Sequence, residues 1–126
     1  ILMRLKSDFF ELLLHATDGT LDKVELEWDR RVGLGVVMAA AGYPLNPRQN
    51  DVISGIAAET PDAMVFHAGT RHDGEHLLTC GGRVLCVTVL GDSFKLAQQR
   101  AYEVLQDIHF DGAQYRSDIA HRAIKR

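Results

Sequence analysis

The chain has 126 residues, enough for one domain with a single core or for one domain and part of another. Hydrophobic residues make up 46% and charged residues 25%, which is ordinary for a soluble globular domain, and no apolar run approaches the roughly 18 residues that span a bilayer. This composition excludes a membrane protein, and a net charge of −3 without a basic cluster beyond Arg30 and Arg31 argues against binding to DNA or RNA.

The two cysteines, Cys80 and Cys86, are too few for a disulfide framework, and their spacing matches no zinc motif. We expect both to be buried thiols of a protein kept in a reducing compartment, the cytoplasm. The chain begins with Ile1 rather than Met and carries no signal-peptide pattern, so we expect it to be part of a longer chain.

Residues 7–18 predict the first helix. Ser7 or Asp8 can cap its N-terminus, and Gly19 can take the left-handed conformation that ends it. Because apolar side chains cover more than one face of this helix, we expect it to be buried between two layers.

Two strands are predicted next. Residues 20–31, TLDKVELEWDRR, alternate apolar and acidic residues in the period-two pattern of a half-buried strand. Residues 32–42, VGLGVVMAAAG, form a continuous small and apolar run, which predicts a central strand covered on both faces. Gly42 and Pro44 break this strand.

The remaining elements complete an α+β fold, an antiparallel sheet with packed helices. Residues 63–70, 75–79 and 83–90 read as strands, and RHDG at 71–74 is a turn, so this region predicts an antiparallel hairpin. From Ser93 to Ile108 the apolar residues fall on one helical face, and residues 115–126 predict a short basic turn or helix.

Arg83 is the first candidate ligand-binding residue. It follows Gly81 and Gly82 at the start of a strand, so its guanidinium and the glycine amides could converge on a phosphate or carboxylate. The alternative is a solvated surface arginine, since most arginines are exposed.

Other polar residues have weaker patterns. His67 precedes Ala68 and Gly69 at a strand end, where a histidine bonded within a turn is the simpler interpretation. Lys6 and Ser7 lie before the first helix, where anions bind, or where exposed cations simply flank a cap. Tyr43, Tyr115 and Arg116 are interpreted as packing and surface residues, and the histidines lack the spacing of a metal site.

Six segments in order resemble one enzyme family over essentially the whole chain. They are RLKSD (4–8), LGVVMAAAGYP (34–44), VFHAGT (65–70), GGRVLCVTVLGD (81–92), AQQRAYEVLQDIHFDG (97–112) and YRSDI..RAI (115–124). Together they resemble the C-terminal end of the glycinamide ribonucleotide synthetases of the ATP-grasp superfamily.

The resemblance implies a ligase of purine biosynthesis. ATP would phosphorylate the carboxylate of glycine, and the amine of phosphoribosylamine would attack the acyl phosphate to give glycinamide ribonucleotide, ADP and phosphate. It implies that residues 1–28 are the tail of the ATP-grasp domain and that residues 29–126 form a C-terminal domain of the rudiment single hybrid, or biotin-carboxylase C-terminal-like, type.

The resemblance also implies which residues bind substrate. The strand that begins at Gly81, Gly82 and Arg83 would bind the phosphate of phosphoribosylamine, His67, Ala68 and Gly69 would face it, and Lys6 and Ser7 would approach from the domain junction. No catalytic or metal-binding residue is expected in this chain, because ATP and Mg²⁺ would be bound mainly by preceding residues.

The implied partners are phosphoribosylamine, glycine, ATP and the preceding domains. We expect a monomeric complete enzyme and a 126-residue chain that is inactive alone and self-associates if helix 7–18 normally packs on another domain. Two departures stand out: Leu45, Asn46 and Pro47 replace the family's usual Gly-Asp-Tyr, and Ala120 stands where a glycine is usual.

Two alternatives remain open from the sequence. One is an ATP-grasp enzyme acting on a different phosphoribosyl intermediate, such as a formate-using transformylase or a purine carboxylase. The other is a non-catalytic, lid-like domain that serves as a binding or interaction module.

Overall fold

The computed structural model describes residues 1–125, which form two antiparallel sheets and three helices. The strands are β1 (Val32–Ala39), β2 (Val52–Ile53), β3 (Ala63–His67), β4 (Thr70–His72), β5 (Leu77–Thr79) and β6 (Arg83–Gly91). The helices are α1 (Phe9–Thr17), α2 (Phe94–Gln106) and α3 (His121–Ile124), and short 3-10 turns lie at Leu2–Arg4 and Leu21–Lys23. The predicted α+β class is confirmed, with two sheets instead of one.

The larger sheet has the order β1-β6-β3 and carries the core on one face. Along β1 the side chains of Leu34, Val36 and Met38 are buried, whereas the residues between them are exposed. The prediction of a central strand covered on both faces was therefore wrong within residues 1–125: β1 lies at the edge of its sheet, and β6 is central. Small residues on the exposed face made the run look uniformly buried.

Helix α2 covers the core face of β6 and β1. Its buried residues, Ala97, Ala101 and Leu105, follow helical spacing, and the Ser93 hydroxyl accepts a hydrogen bond from the Leu96 N–H at 3.2 Å. The predicted helix and its apolar face are confirmed. Gly91 lets the helix start close to the sheet, because a Cβ there would lie 2.7 Å from the Ala97 nitrogen.

The strands predicted between 63 and 90 are present, but the predicted strand 63–70 divides into β3 and β4 at Ala68 and Gly69, and Arg71 and His72 of the predicted turn belong to β4. The pairing of these strands also differs from the prediction. The turn around Asp73 joins β4 to β5 in the smaller sheet, which has the order β2-β5-β4. Strand β6 instead pairs with β1 and β3, so β5 and β6 do not form a hairpin. Strands β5 and β6 follow each other in sequence but lie in different sheets, because the chain turns at Cys80, Gly81 and Gly82.

The N-terminal segment departs most from prediction. Helix α1 is confirmed, with the Asp8 carboxylate accepting from the N–H groups of Phe10 and Glu11, but within the described residues none of its side chains is buried. Residues 20–31 form no strand: Trp28 makes one isolated bridge to Leu5. Within residues 1–125, this alternating segment pairs with neither of the two sheets.

Candidate functional site

A bulge in β6 turns Arg83 away from the core. Leu85, Val87 and Val89 point inward, and strict alternation would place Arg83 on that same face. The pairing with β1 shifts by one residue between Met38 and Ala39, so that Val84 and Leu85 are both buried. Bulges re-aim side chains in this way, and Arg83 lies exposed at the start of the strand.

Two glycines, Gly69 and Gly81, bring the predicted HAGT and GGR segments together. The Gly69 N–H donates to the Arg83 carbonyl at 2.8 Å, and the Gly69 carbonyl accepts from the Cys80 N–H at 2.7 Å. A Cβ on Gly69 would lie 2.9 Å from the Gly81 Cα, closer than packed atoms approach. The backbones of the two segments therefore touch, and only residues without side chains fit at this crossing.

Arg83 opens onto a solvent-accessible cleft of about 540 Å³, lined by Val37, Tyr43, Ala68, Gly82, Arg83, Leu85 and Cys86. Its guanidinium makes no hydrogen bond or ion pair to any group in residues 1–125, and the N–H groups of Gly81 and Gly82 likewise have no acceptor within that range. Unpaired donors of this kind suit an anion such as phosphate.

The two cysteines contradict the expectation of buried thiols. Cys80 is exposed at the turn between the sheets, and Cys86 is half-buried at the cleft with its Sγ 3.5 Å from the Thr88 hydroxyl. Cys86 projects from the face of β6 that α2 does not cover, because it alternates with the buried Leu85 and Val87.

His67 lies beside the cleft without lining it. Its Nδ1 lies 3.1 Å from the Thr70 hydroxyl, so the imidazole is held within the turn that follows β3. Of the segment from His67 to Gly69, Ala68 lines the cleft, and Gly69 supports it from behind through the contact with Gly81.

Lys6 and Ser7 lie far from Arg83. The Lys6 N–H donates to the Glu27 carbonyl at 2.9 Å, and the Ser7 hydroxyl accepts from the Glu27 N–H at 2.8 Å. The preceding Arg4 packs on Gly33 at the beginning of β1, whereas Arg83 pairs with Ala39 at its end. Six strand residues span about 20 Å, so the structure does not bring these two groups together.

A second cleft of about 370 Å³ adjoins the first and was missed by the sequence reasoning. It is lined by Val37, Ala39, Tyr43, Arg83, Gln114, Tyr115 and Arg116. Ala39 and Gln114 exchange backbone hydrogen bonds of 2.7 and 2.9 Å, which fix the C-terminal segment beside β1. No local pattern reveals a single bridge across 75 residues, so Tyr115 and Arg116 read as surface residues.

The two arginines of these clefts differ in their electrostatic partners. Arg116 forms a two-point pair with Asp118, at 2.9 and 2.7 Å, and this pair raises the pKa of Arg116 and lowers that of Asp118. Arg83 has no such carboxylate within residues 1–125. A ligand anion at Arg83 therefore meets an uncompensated charge, whereas one at Arg116 competes with Asp118.

Neither a metal cluster nor a membrane span is found in the described part of the chain. No three His, Cys, Asp or Glu side chains within residues 1–125 lie close enough together to hold a metal ion. No helix in that range is long and apolar enough to cross a membrane.

Comparison with known proteins places this arrangement in a family. Residues 33–122 match the model for the phosphoribosylglycinamide synthetase C domain. The whole chain is 57% identical to phosphoribosylamine–glycine ligase of Ralstonia nicotianae and 53% identical to that of Escherichia coli O6:H1, spanning 30% of each relative. A crystal structure of phosphoribosylamine–glycine ligase from Thermotoga maritima matches 87% of this chain and 28% of its own, with 33% identity and a TM-score of 0.71. The chain therefore belongs to the phosphoribosylglycinamide synthetase C-domain family.

Proposed function

We propose that this chain acts as the C-terminal part of a phosphoribosylamine–glycine ligase of purine biosynthesis. The relatives named for that activity align over the whole chain, at 57% and 53% identity, and the chain spans 30% of their length. The complete enzyme would join glycine to phosphoribosylamine with conversion of ATP to ADP and phosphate, working in the cytoplasm as a monomer. The preceding domains would be the chain's principal partners.

The proposed division of the chain follows the family resemblance and agrees with the exposure of helix α1. Residues 1–28 would be the tail of the ATP-grasp domain, and residues 29–126 the C-terminal domain of the rudiment single hybrid type. In support, α1 has no buried residue among those described, and the family match begins at residue 33. The C-terminal domain would cover the catalytic cleft and exclude water from it.

The Arg83 guanidinium, which has no hydrogen-bond or ion-pair partner in residues 1–125, carries the assignment of the substrate site. We propose that it binds the phosphate of phosphoribosylamine, together with the N–H groups of Gly81 and Gly82. Ala68 would line the same pocket, and Gly69 and His67 would hold its backbone in place. Lys6 and Ser7 would approach substrate from the domain junction, at a place separate from Arg83.

ATP and Mg²⁺ would be bound mainly by residues that precede this chain. The acidic side chains of residues 1–125 form no cluster that suits Mg²⁺. What these residues contribute is the binding of one substrate and the orientation of its amine, which is worth a large rate factor in a two-substrate reaction. The 126-residue chain alone would be inactive.

The test is an assay of the complete reading frame that contains these residues. ADP release is followed with glycine, Mg-ATP and varied phosphoribosylamine in wild type, in Arg83→Ala and in Lys95→Ala. Lys95 is the control, because it removes one positive charge from α2, on the opposite face of the sheet.

ADP release that needs both substrates, with the KM for phosphoribosylamine raised about tenfold or more in Arg83→Ala alone, would support the proposal, since a charged hydrogen bond is worth about 1.5–3 kcal/mol. An unchanged KM would return Arg83 to a surface role. Absence of substrate-dependent ADP release would favour the non-catalytic, lid-like binding module.

A further inference from the structure

The two clefts form one continuous, two-lobed site. Val37, Tyr43 and Arg83 line both, and the ring of Tyr43 packs on Gly82 between the lobes. We call the part that contains Ala68, Gly82 and Cys86 the phosphate lobe and the part that contains Gln114, Tyr115 and Arg116 the ring lobe. A ligand at Arg83 can therefore extend from one lobe into the other.

The ring lobe is fixed in place before any ligand binds. The backbone bridge between Ala39 and Gln114 fixes the Gln114 side of the lobe beside β1. Tyr102 holds its rim, donating from its hydroxyl to the Arg116 carbonyl at 2.6 Å and placing its ring 6.4 Å from that of Tyr115. A preformed lobe needs little ordering on binding, and this favours affinity.

The chemistry of the ring lobe suits a hydroxylated ring better than a second anion. The Gln114 carboxamide is exposed and bonds to no group in residues 1–125, so it can donate to and accept from hydroxyls. Tyr43 and Tyr115 supply apolar ring surface, and Arg116 is already compensated by Asp118. Pockets of mixed apolar and hydrogen-bonding character orient small ligands in this way.

We infer that the two lobes bind a single phosphorylated sugar, with its phosphate at Arg83 and its hydroxylated ring beside Gln114 and Tyr115. This inference rests on the proposed function for the identity of the phosphate ligand. It adds that the sugar ring extends from Arg83 into the ring lobe, and that Gln114 forms hydrogen bonds with the sugar hydroxyls.

The experiment measures binding alone, by calorimetry on the complete reading frame without ATP or glycine. The probes are ribose 5-phosphate and inorganic phosphate. The variants are Arg83→Ala, Arg116→Ala and Gln114→Ala, with Gln106→Ala as the control, since that exposed glutamine at the end of α2 lines neither lobe. Gln114→Ala keeps the backbone bridge to Ala39, and a thermal midpoint for each variant verifies folding.

The wild type should bind ribose 5-phosphate about tenfold more tightly than phosphate, because the ring lobe adds about one good hydrogen bond and some apolar contact. Gln114→Ala should weaken ribose 5-phosphate binding at least threefold and leave phosphate unchanged. Arg83→Ala should weaken both, and Arg116→Ala should leave phosphate unchanged.

Equal affinities of the wild type for the two probes would overturn the inference. So would a Gln114→Ala variant that weakens both equally, or a loss of phosphate binding in Arg116→Ala rather than in Arg83→Ala. Because no turnover is needed, an inactive protein that shows the graded binding would contradict the proposed ligase and support the two-lobed site. An active ligase with equal affinities for the two probes would support the proposed ligase and contradict the two-lobed site.

Discussion

The ring of Tyr43 lies where a side chain on Gly82 would have to be: a Cβ on Gly82 would fall 2.6 Å from Cδ2 and 3.0 Å from Cε2 of that ring. The aromatic wall of the cleft and the turn that precedes Arg83 are therefore built against each other. Tyr43 is held in turn by its N–H, which donates to the Ala40 carbonyl at 3.1 Å.

Gly82→Ala should destabilise the fold by about 1–3 kcal/mol, the usual cost of overpacking, and should displace Tyr43 from between the two lobes. Gly33→Ala is the matched control. A Cβ there meets the flexible Arg4 side chain at 3.3 Å and Leu90 Cδ2 at an ordinary contact distance of 3.8 Å, so it should cost much less. Urea unfolding of both variants measures the difference, and equal stabilities would contradict the close packing of Tyr43 on Gly82.

The local parts of this fold could be predicted from the sequence, and the long-range parts could not. Helices α1 and α2 follow from side-chain caps at Asp8 and Ser93 and from apolar spacing within a few residues. The alternation around Leu26 and Trp28 predicted a strand. Alternation indicates which face of a segment is apolar, but it does not show whether a neighbouring strand is available for pairing. The side chains of Leu26 and Trp28 remain 49% and 40% exposed.

The candidate site likewise has a part that local sequence could predict and a part that it could not. Arg83 was found because glycines before a strand are a visible signal, although its exposed position depends on a bulge that the alternation would have argued against. Tyr115 and Arg116 were missed because their place in the second cleft depends on Gln114 pairing with Ala39. Contacts between residues so distant in sequence leave no periodic trace.

Arg31, just before β1, pairs with Asp29 and with Asp62, which immediately precedes β3, and these ion pairs should respond to acid. Its guanidinium takes both carboxylate oxygens of Asp29, at 3.0 and 3.1 Å from Nε and 2.7 Å from Nη2, and reaches Asp62 at 2.7 Å. These bonds and the Arg31 N–H lower the pKa of Asp29 from 3.8 to about 2. The stabilisation is therefore present above pH 3.8 and is lost as the pH falls toward 2.

Arg31→Gln should lower the free energy of unfolding at neutral pH, and its difference from wild type should shrink as the pH falls from 3.8 to about 2. Arg30→Gln removes the neighbouring exposed cation and should show no such convergence. Urea unfolding at pH 6, 4, 3 and 2 tests this. A difference between wild type and Arg31→Gln that stays constant over the acid range would show that Asp29 does not carry the effect.

Ala120 occupies a backbone conformation that suits glycine, with φ of 69° and ψ of 0°. A left-handed conformation costs an L-residue about 1 kcal/mol, and the loss of a partly buried methyl group offsets part of the gain from glycine. Ala120→Gly should therefore stabilise the fold by about 0.5 kcal/mol.

The control for that change is Ala123→Gly, three residues further on within α3, where the backbone is right-handed and glycine should destabilise by about 0.5–1 kcal/mol. Thermal unfolding of the two variants should give midpoint shifts of opposite sign. A lowered midpoint for Ala120→Gly would mean that its methyl contact outweighs the backbone strain.

Helix α1 presents an apolar face that residues 1–125 leave about half exposed: Phe9, Phe10, Leu13 and Leu14 are 48%, 67%, 51% and 47% exposed. The helix has nine residues, fewer than the roughly 12–15 that an isolated helix needs to be stable in water. Its four clustered apolar side chains therefore favour packing against another surface, either a preceding domain or a second copy of the chain.

The 126-residue chain should self-associate through this face in proportion to its concentration, and the double variant Phe10→Gln, Leu14→Gln should remain monomeric. Leu45→Gln is the control, because Leu45 is 95% exposed and lies outside α1. Sedimentation velocity at several concentrations measures the outcome. A wild-type chain that stays monomeric while helix α1 remains folded would contradict the expectation, and equal dissociation by Leu45→Gln would place the contact elsewhere.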